Sequence, residues 1–170
     1  IVPEDGNTVR IGLLADKGGK PLFDSFCRKI VVKKIISMQG GLVPKYDPWA
    51  LTSKGNVKLV GDAALQVKAT TGGGIIQGLI ASEALANSID SNYDYEKLWR
   101  KKMGRELWLH LKMRNAMDRF TKKDWGDLIT ILQNERNIRI LSNHDRDRLW
   151  GIALRLLLEP RLWKYARFLS

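Results

Sequence analysis

The sequence predicts an α/β (α+β) first part with an incomplete sheet, followed by an all-α C-terminal tail. Three observations carry this. Most glycines and β-branched runs precede Tyr93, whereas Leu, Trp and Arg dominate after it. The charge shifts at the same place: residues 1–92 hold 11 Lys+Arg against 8 Asp+Glu, and residues 93–170 hold 18 against 10. Residues 57–82 read as a strand, a glycine-rich connection and a helix. The expected division therefore falls near Asp90-Ser91-Asn92, giving regions 1–92 and 93–170.

Composition bounds the rest. With 44% apolar and 28% charged residues the chain is globular in type, and 170 residues suffice for one core, with or without a small helical appendage. A single cysteine, Cys27, excludes an intramolecular disulfide and a multi-cysteine zinc site. With only His110 and His144 besides, no metal centre is expected. The longest apolar stretches fall well short of the ~20 residues of a membrane span. The opening Ile1-Val2-Pro3-Glu4-Asp5-Gly6 has no basic region before an apolar one, so it does not read as a signal peptide. It starts without Met and runs straight into strand-like sequence, as a piece of something longer would.

Asp5-Gly6 is a turn dipeptide with a β-rich run, Thr8–Leu14, behind it. Leu22, Phe23, Phe26 and Ile30 share one side of a helix over 22–30. Val31–Met38 (VVKKIISM) is β-rich and is expected to be a strand ending at Gly40-Gly41. Pro44, Pro48 and Gly55 punctuate a loop, and Asn56–Val60 is a further strand. A helix from about Gly74 to Ser88 is apolar nearly all round, as a helix buried in a larger body would be. Beyond it, Asp94–Phe120 reads as one long helix. Thr121 is the expected Ncap of the next, with Asp124 in its first turn. That helix is expected to run to about Glu135, and another from Ser142 or Asn143 (145–158) to Glu159-Pro160. A short amphipathic stretch, 162–169, closes the chain.

The segment VKLVGDAALQVKATTGGGIIQGLIAS (57–82) carries the chemistry. Gly61 lets the chain turn sharply off a strand end. Asp62 sits where a carboxylate can accept hydrogen bonds from hydroxyl-rich ligands, and Ala63 and Ala64 permit close approach. Gly72, Gly73 and Gly74 expose backbone N–H groups at a helix N-terminus, which attracts phosphate or developing negative charge. An ordinary strand–loop–helix joint, with Gly used only for turning, explains the glycines but not the whole ordered set.

GDAALQVKATTGGGI closely resembles the second flavin-binding motif of the geranylgeranyl reductase family, FAD-dependent oxidoreductases within the aromatic-hydroxylase-like flavoproteins. Gly61 and Asp62 match its Gly-Asp, and Gly72, Gly73 and Gly74 match its glycine run. Ala69 stands where the wider pattern has Pro. GGLVPKYDP (40–48) and YEKLWRKKMGREL (95–107) resemble flanking parts, so that about residues 1–135 fit. The resemblance implies an FAD site formed by Gly61, Asp62, Ala63, Gly72, Gly73, Gly74 and Ile75. In it, Asp62 bonds the ribityl chain or approaches the pyrophosphate, and the N–H groups of Gly73, Gly74 and Ile75 lie near the pyrimidine edge. The implied reaction is reduction of C=C bonds in isoprenoid lipid chains.

The family's N-terminal G-x-G-x-x-G fingerprint, which cradles the adenosine diphosphate half of FAD, is absent here. The chain thus resembles the C-terminal part only, and FAD binding by it alone is expected to be weak or absent. A homo-oligomer or a complementing N-terminal chain is expected. The alternative is a non-enzymatic binding or structural remnant of the fold. No catalytic residue is assigned: Cys27 reads as a buried small hydrophobe, His110 as an ordinary helix-face residue, His144 as helix-start chemistry. Trp99, Trp108, Trp125, Trp150 and Trp163 lie among Arg and Lys. Most are expected to fill a helical core, with peripheral contact to anionic lipid the second reading and nucleic acid a distant third. The expected location is cytoplasmic, at most peripheral to the membrane's inner face.

Overall fold

The structure, a computed structural model, describes residues 1–91, 93–143, 151, 155 and 158–168. The chain divides into two compact units, Ile1–Leu42 and Val43–Ser170. Its elements are α+β at the front and helical from Ile75 onward, as the composition predicts.

The first unit opens with a hairpin of β1 (Val2–Pro3) and β2 (Val9–Arg10), paired Val2 to Arg10 and Pro3 to Val9. The turn is set by Asp5, whose carboxylate accepts from the N–H groups of Asn7 (2.8 Å) and Thr8 (2.7 Å). Helix α1 (Gly19–Lys29) covers the predicted helix except Ile30, which is its C-cap, and begins after Gly18, whose φ of 63° suits glycine. The expected strand Val31–Met38 does not form. Residues 32–47 carry no regular structure, and Ile35, Ile36 and Met38 are exposed. β-propensity does not make a strand without a neighbour to take its N–H and C=O groups, and the described residues offer none.

In the second unit β3 (Ser53–Lys54) and β4 (Val57–Lys58) form a small antiparallel ladder, shorter than the strand expected over 56–60. Helix α2 (Ile75–Ser91) follows the glycine run. It buries Gln77, Ala81, Ala84 and Ser88 along one side. Ile75, Leu79 and Ile89 on the remainder are exposed, so its all-round apolar character is only partly used by this chain.

The predicted long helix is observed as α3 (Tyr95–Trp99), a π-helical turn (Arg100–Gly104) and α4 (Arg105–Met117) without a break. The Asp94 carboxylate caps it, accepting from the N–H groups of Glu96 (2.8 Å) and Lys97 (3.2 Å). Tyr95, Trp99, Met103 and Leu107 are all buried. In a regular α-helix each step of four drifts by about 40°, and the wider π turn removes that drift so that all four face one core. That core comprises Tyr46, Ala81, Ala84, Tyr95, Trp99, Met103 and Leu107. The loop before β3 is tied to it: the Trp99 indole N–H donates to Thr52 Oγ1 (2.9 Å), and the Arg100 guanidinium to the carbonyls of Pro48 (2.9 Å) and Ala50 (3.1 Å).

Thr121 is the Ncap of α5 (Lys122–Leu132), in a reciprocal capping box with Asp124. The helix stops before the expected Glu135, because the Asn134 side chain accepts from the Arg136 N–H (3.0 Å) and starts α6 (Glu135–Ser142). The buried Asn137 then donates to the Ile131 carbonyl (2.8 Å). Most of the helix expected over 145–158, with His144 and Trp150, lies outside the described residues. Residues Pro160–Phe168 form a 3₁₀ segment, where Phe120, Trp125, Tyr165 and Phe168 cluster. Of the tryptophans expected mostly to fill a core, Trp99 alone among the described ones is buried, whereas Trp108, Trp125 and Trp163 are exposed, Trp163 by 63%.

Candidate functional site

The residues singled out between 61 and 75 meet at one joint. Val60 is extended, and Gly61 turns at φ 68°, a conformation that a side chain resists. Residues Gly61–Ala64 make a 3₁₀ turn that buries Ala64 and leaves Asp62 and Ala63 exposed. Gln66 locks the turn from behind. Its Oε1 accepts from the Gly61 N–H (2.8 Å), and its Nε2 donates to the Tyr95 hydroxyl (3.2 Å). Tyr95 in turn donates to the Leu59 carbonyl (2.6 Å). Burial pushes the Tyr95 phenol up from its ordinary value, keeping it a donor.

The glycine run closes a second turn. The Lys68 N–H donates to the Gly73 carbonyl (2.9 Å), and the Lys68 carbonyl accepts from the N–H groups of Thr71 (3.2 Å) and Gly72 (2.8 Å). Gly72 has φ 68°, which again favours glycine. At the start of α2 the close approaches become decisive. A Cβ on Gly74 would stand 2.8 Å from Asp62 Oδ1 and 3.3 Å from Val67 Cγ2. One on Gly73 would stand 2.9 Å from Lys68 Cε and 3.4 Å from Lys68 Nζ. The joint therefore holds a carboxylate and an ammonium against the bare backbone of a helix N-terminus. The first turn of α2 carries no acidic residue, and its leading N–H groups have no intrahelical acceptor. Ile75 stands 82% exposed at the mouth.

The structure thus brings Gly61, Asp62, Gly72, Gly73, Gly74 and Ile75 into one strand-end-to-helix joint, with Ala63 on the same exposed turn. It adds residues that sequence reasoning missed. Lys68 lies between Gly61 and the glycine run and carries no local signal of its own. Gln66 and Tyr95 act through contacts 29 residues apart, which no local pattern reveals. His110, read as an ordinary helix-face residue, is buried at 1% exposure, and its Nδ1 is hydrogen-bonded to Thr70 Oγ1 at 2.6 Å. Gln77 is also buried, and its Oε1 has no hydrogen-bond partner among the described residues.

Elsewhere, Tyr46, Arg100, Gly104, Arg105 and Trp108 line an open cavity of about 460 Å³ that shares no residue with the joint. Cys27 is partly buried on α1. Among the described residues no cluster of His, Cys, Asp and Glu is placed to hold a metal ion. Nor is any helix among them long and apolar enough to cross a membrane.

Comparison with known proteins follows the same lead. No family model matches the chain, and no solved structure does. Curated relatives do. The chain is 36% identical over 152 residues to digeranylgeranylglycerophospholipid reductase 2 of Methanococcoides burtonii, a match covering 79% of this chain and 37% of that protein. It is 34% identical over 119 residues to digeranylgeranylglycerophospholipid reductase of Methanothrix thermoacetophila, covering 64% and 30%. With the enzyme of the same name from Methanosarcina mazei it shares 31% over 155 residues, covering 79% and 38%. Matches over 79% of the chain leave out too little to miss the centrally placed residues 61–75. The chain spans about a third of the length of these relatives. Over that span, the chain is related to the geranylgeranyl reductases.

Proposed function

We propose that the chain is the flavin-ring side of an FAD-dependent reductase of isoprenoid lipid chains, corresponding to the C-terminal portion of its relatives. The observation that carries this is the Asp62 carboxylate held against Gly74 at the mouth of α2, a cradle that any side chain at position 74 would fill. FAD fits such a joint because it offers hydroxyls to a carboxylate and an electron-rich ring edge to N–H donors. When bound, FAD supplies the hydride and electron transfer. Asp62 accepts the ligand's hydroxyl hydrogens. The backbone of Gly74 and Ile75 presents N–H groups to negative charge, the Gly73 N–H already donating to Thr71 Oγ1 (3.3 Å), and Lys68 places a cation beside them. Gly61 and Gln66 keep the turn in shape. The exposed Ile75, Leu79 and Ile89 on α2 support a complementing chain or segment, or a second copy, as partner.

The test is chemical. The chain, alone and with a candidate N-terminal half, is incubated with FAD, dithionite and an unsaturated digeranylgeranyl phospholipid, and the lipid is weighed by mass spectrometry. The expected result is a gain of two hydrogens per reduced double bond that depends on FAD. No gain, from protein that remains colourless with added FAD, favours the non-enzymatic remnant. Contact with anionic lipid belongs to the proposal too, because exposed Trp163 lies beside Arg161, Lys164 and Arg167.

A further inference from the structure

We propose that His110 is a positioning residue for the glycine turn, acting through its hydrogen bond to Thr70. An imidazole at 1% exposure is an expensive way to fill space, since an apolar side chain packs there without needing a partner. What the imidazole adds is a directed bond of 2.6 Å to Thr70, 40 residues earlier in sequence and two positions before Gly72. His110 sits on α4, which the core holds through Leu107. Tyr95 on α3 treats the other end of the same loop alike, through Gln66. Two side chains from one continuous helix therefore pin the loop at residues 66 and 70, with Val67 and Ala69 buried between them.

The turn needs such a pin. Its own closure rests on backbone bonds between Lys68 and residues 71–73, and glycines on its far side are the most conformationally free residues available. Backbone N–H groups bind a ligand well only when they are held in place beforehand. His110 supplies that rigidity from outside the loop. The ligand part of this inference rests on the flavin reading, whereas the pinning does not.

The test compares wild type with Thr70→Val, which removes the hydroxyl at nearly constant shape, with Thr70→Ser, which keeps it, and with His110→Asn, whose amide can replace the lost nitrogen. Amide hydrogen exchange is followed across the chain, and FAD binding is followed by titration. In Thr70→Val, exchange at Lys68 and Gly72 rises about tenfold or more, with amides of α3 and α4 unchanged, as local opening without global unfolding requires. Thr70→Ser stays at wild-type rates and His110→Asn falls between. Exchange at 68–73 within about twofold of wild type in both Thr70→Val and His110→Asn overturns the proposal, as does an increase spread evenly over the unit. The FAD arm separates the two claims. Local loosening together with weaker FAD binding supports both. Local loosening in a chain whose wild type takes up no FAD leaves the pin standing and removes the flavin.

Discussion

Asp62 and Gly74 form one device, and their variants test it together. Asp62→Ala removes a charge-assisted acceptor, at a cost to ligand binding of about 1–3 kcal/mol, or roughly a tenfold to hundredfold loss of FAD affinity. Gly74→Ala keeps the charge but drives a methyl to within 2.8 Å of Asp62 Oδ1, and the exposed carboxylate must swing away. Its expected loss of FAD affinity resembles that of Asp62→Ala, and in the double variant the two losses do not add. Calorimetric titration of the three proteins checks this. Additive losses, or unchanged affinity with a lower apo melting temperature, make Asp62 a turn residue only. Lys68→Met is expected to weaken binding of FAD in its reduced, anionic state more than in its oxidised state, read as a lowered midpoint potential of the bound flavin. An unchanged potential removes Lys68 from the site.

At the scale of elements, the caps and turns dominate. Thr121→Ala breaks the capping box of α5 and is expected to cost about 1 kcal/mol in urea denaturation. The same box sets an acid limb. The Thr121 hydroxyl, then the Thr121 N–H, with Arg167 adding to them, hold the Asp124 carboxyl below its ordinary value of 3.8. Arg161 takes Glu159 from 4.5 to about 2. Both groups favour the ionised, folded form, so their stabilisation is complete above the ordinary carboxyl values and is lost as pH falls through the folded ones. Melting temperatures of wild type should drop from pH 4.5 toward 2, and the drop should be shallower in Thr121→Ala. Equal slopes detach Asp124 from the limb. Gly126 is interior to α5, and a Cβ there meets nothing within 4 Å. Gly126→Ala is therefore expected to stabilise by about 0.5–1 kcal/mol, measured by the same denaturation.

Across the whole molecule, what was legible in the sequence is what local chemistry decides. The glycine turns, the Thr121 cap, helix α1 and the helical run from Asp94 all follow from residue type and spacing. Val31–Met38 failed as a strand because pairing is a property of neighbours, and the described residues bring none to it. The break at Leu132 was missed although Asn134 is a proper cap, since the apolar pattern runs through it. The π turn is invisible in a pattern that a slightly drifting α-helix also fits. The candidate site was legible as a list of residues but not as an arrangement. Gln66, Thr70, Tyr95 and His110 join it only through contacts between distant segments, and these also hold the glycine turn in place.

On the proposed function, FAD is recognised at the joint of residues 61–75. Amide chemical shifts of the isotope-labelled chain, recorded as FAD is added, test it most directly, because they locate even weak binding. The expected shifts concentrate at Gly61, Asp62, Ala63 and Gly72–Ile75, spread to Lys68 and fade in Asp62→Ala. Shifts centred on the cavity of Tyr46, Arg100 and Trp108, or no shifts at all, would contradict it.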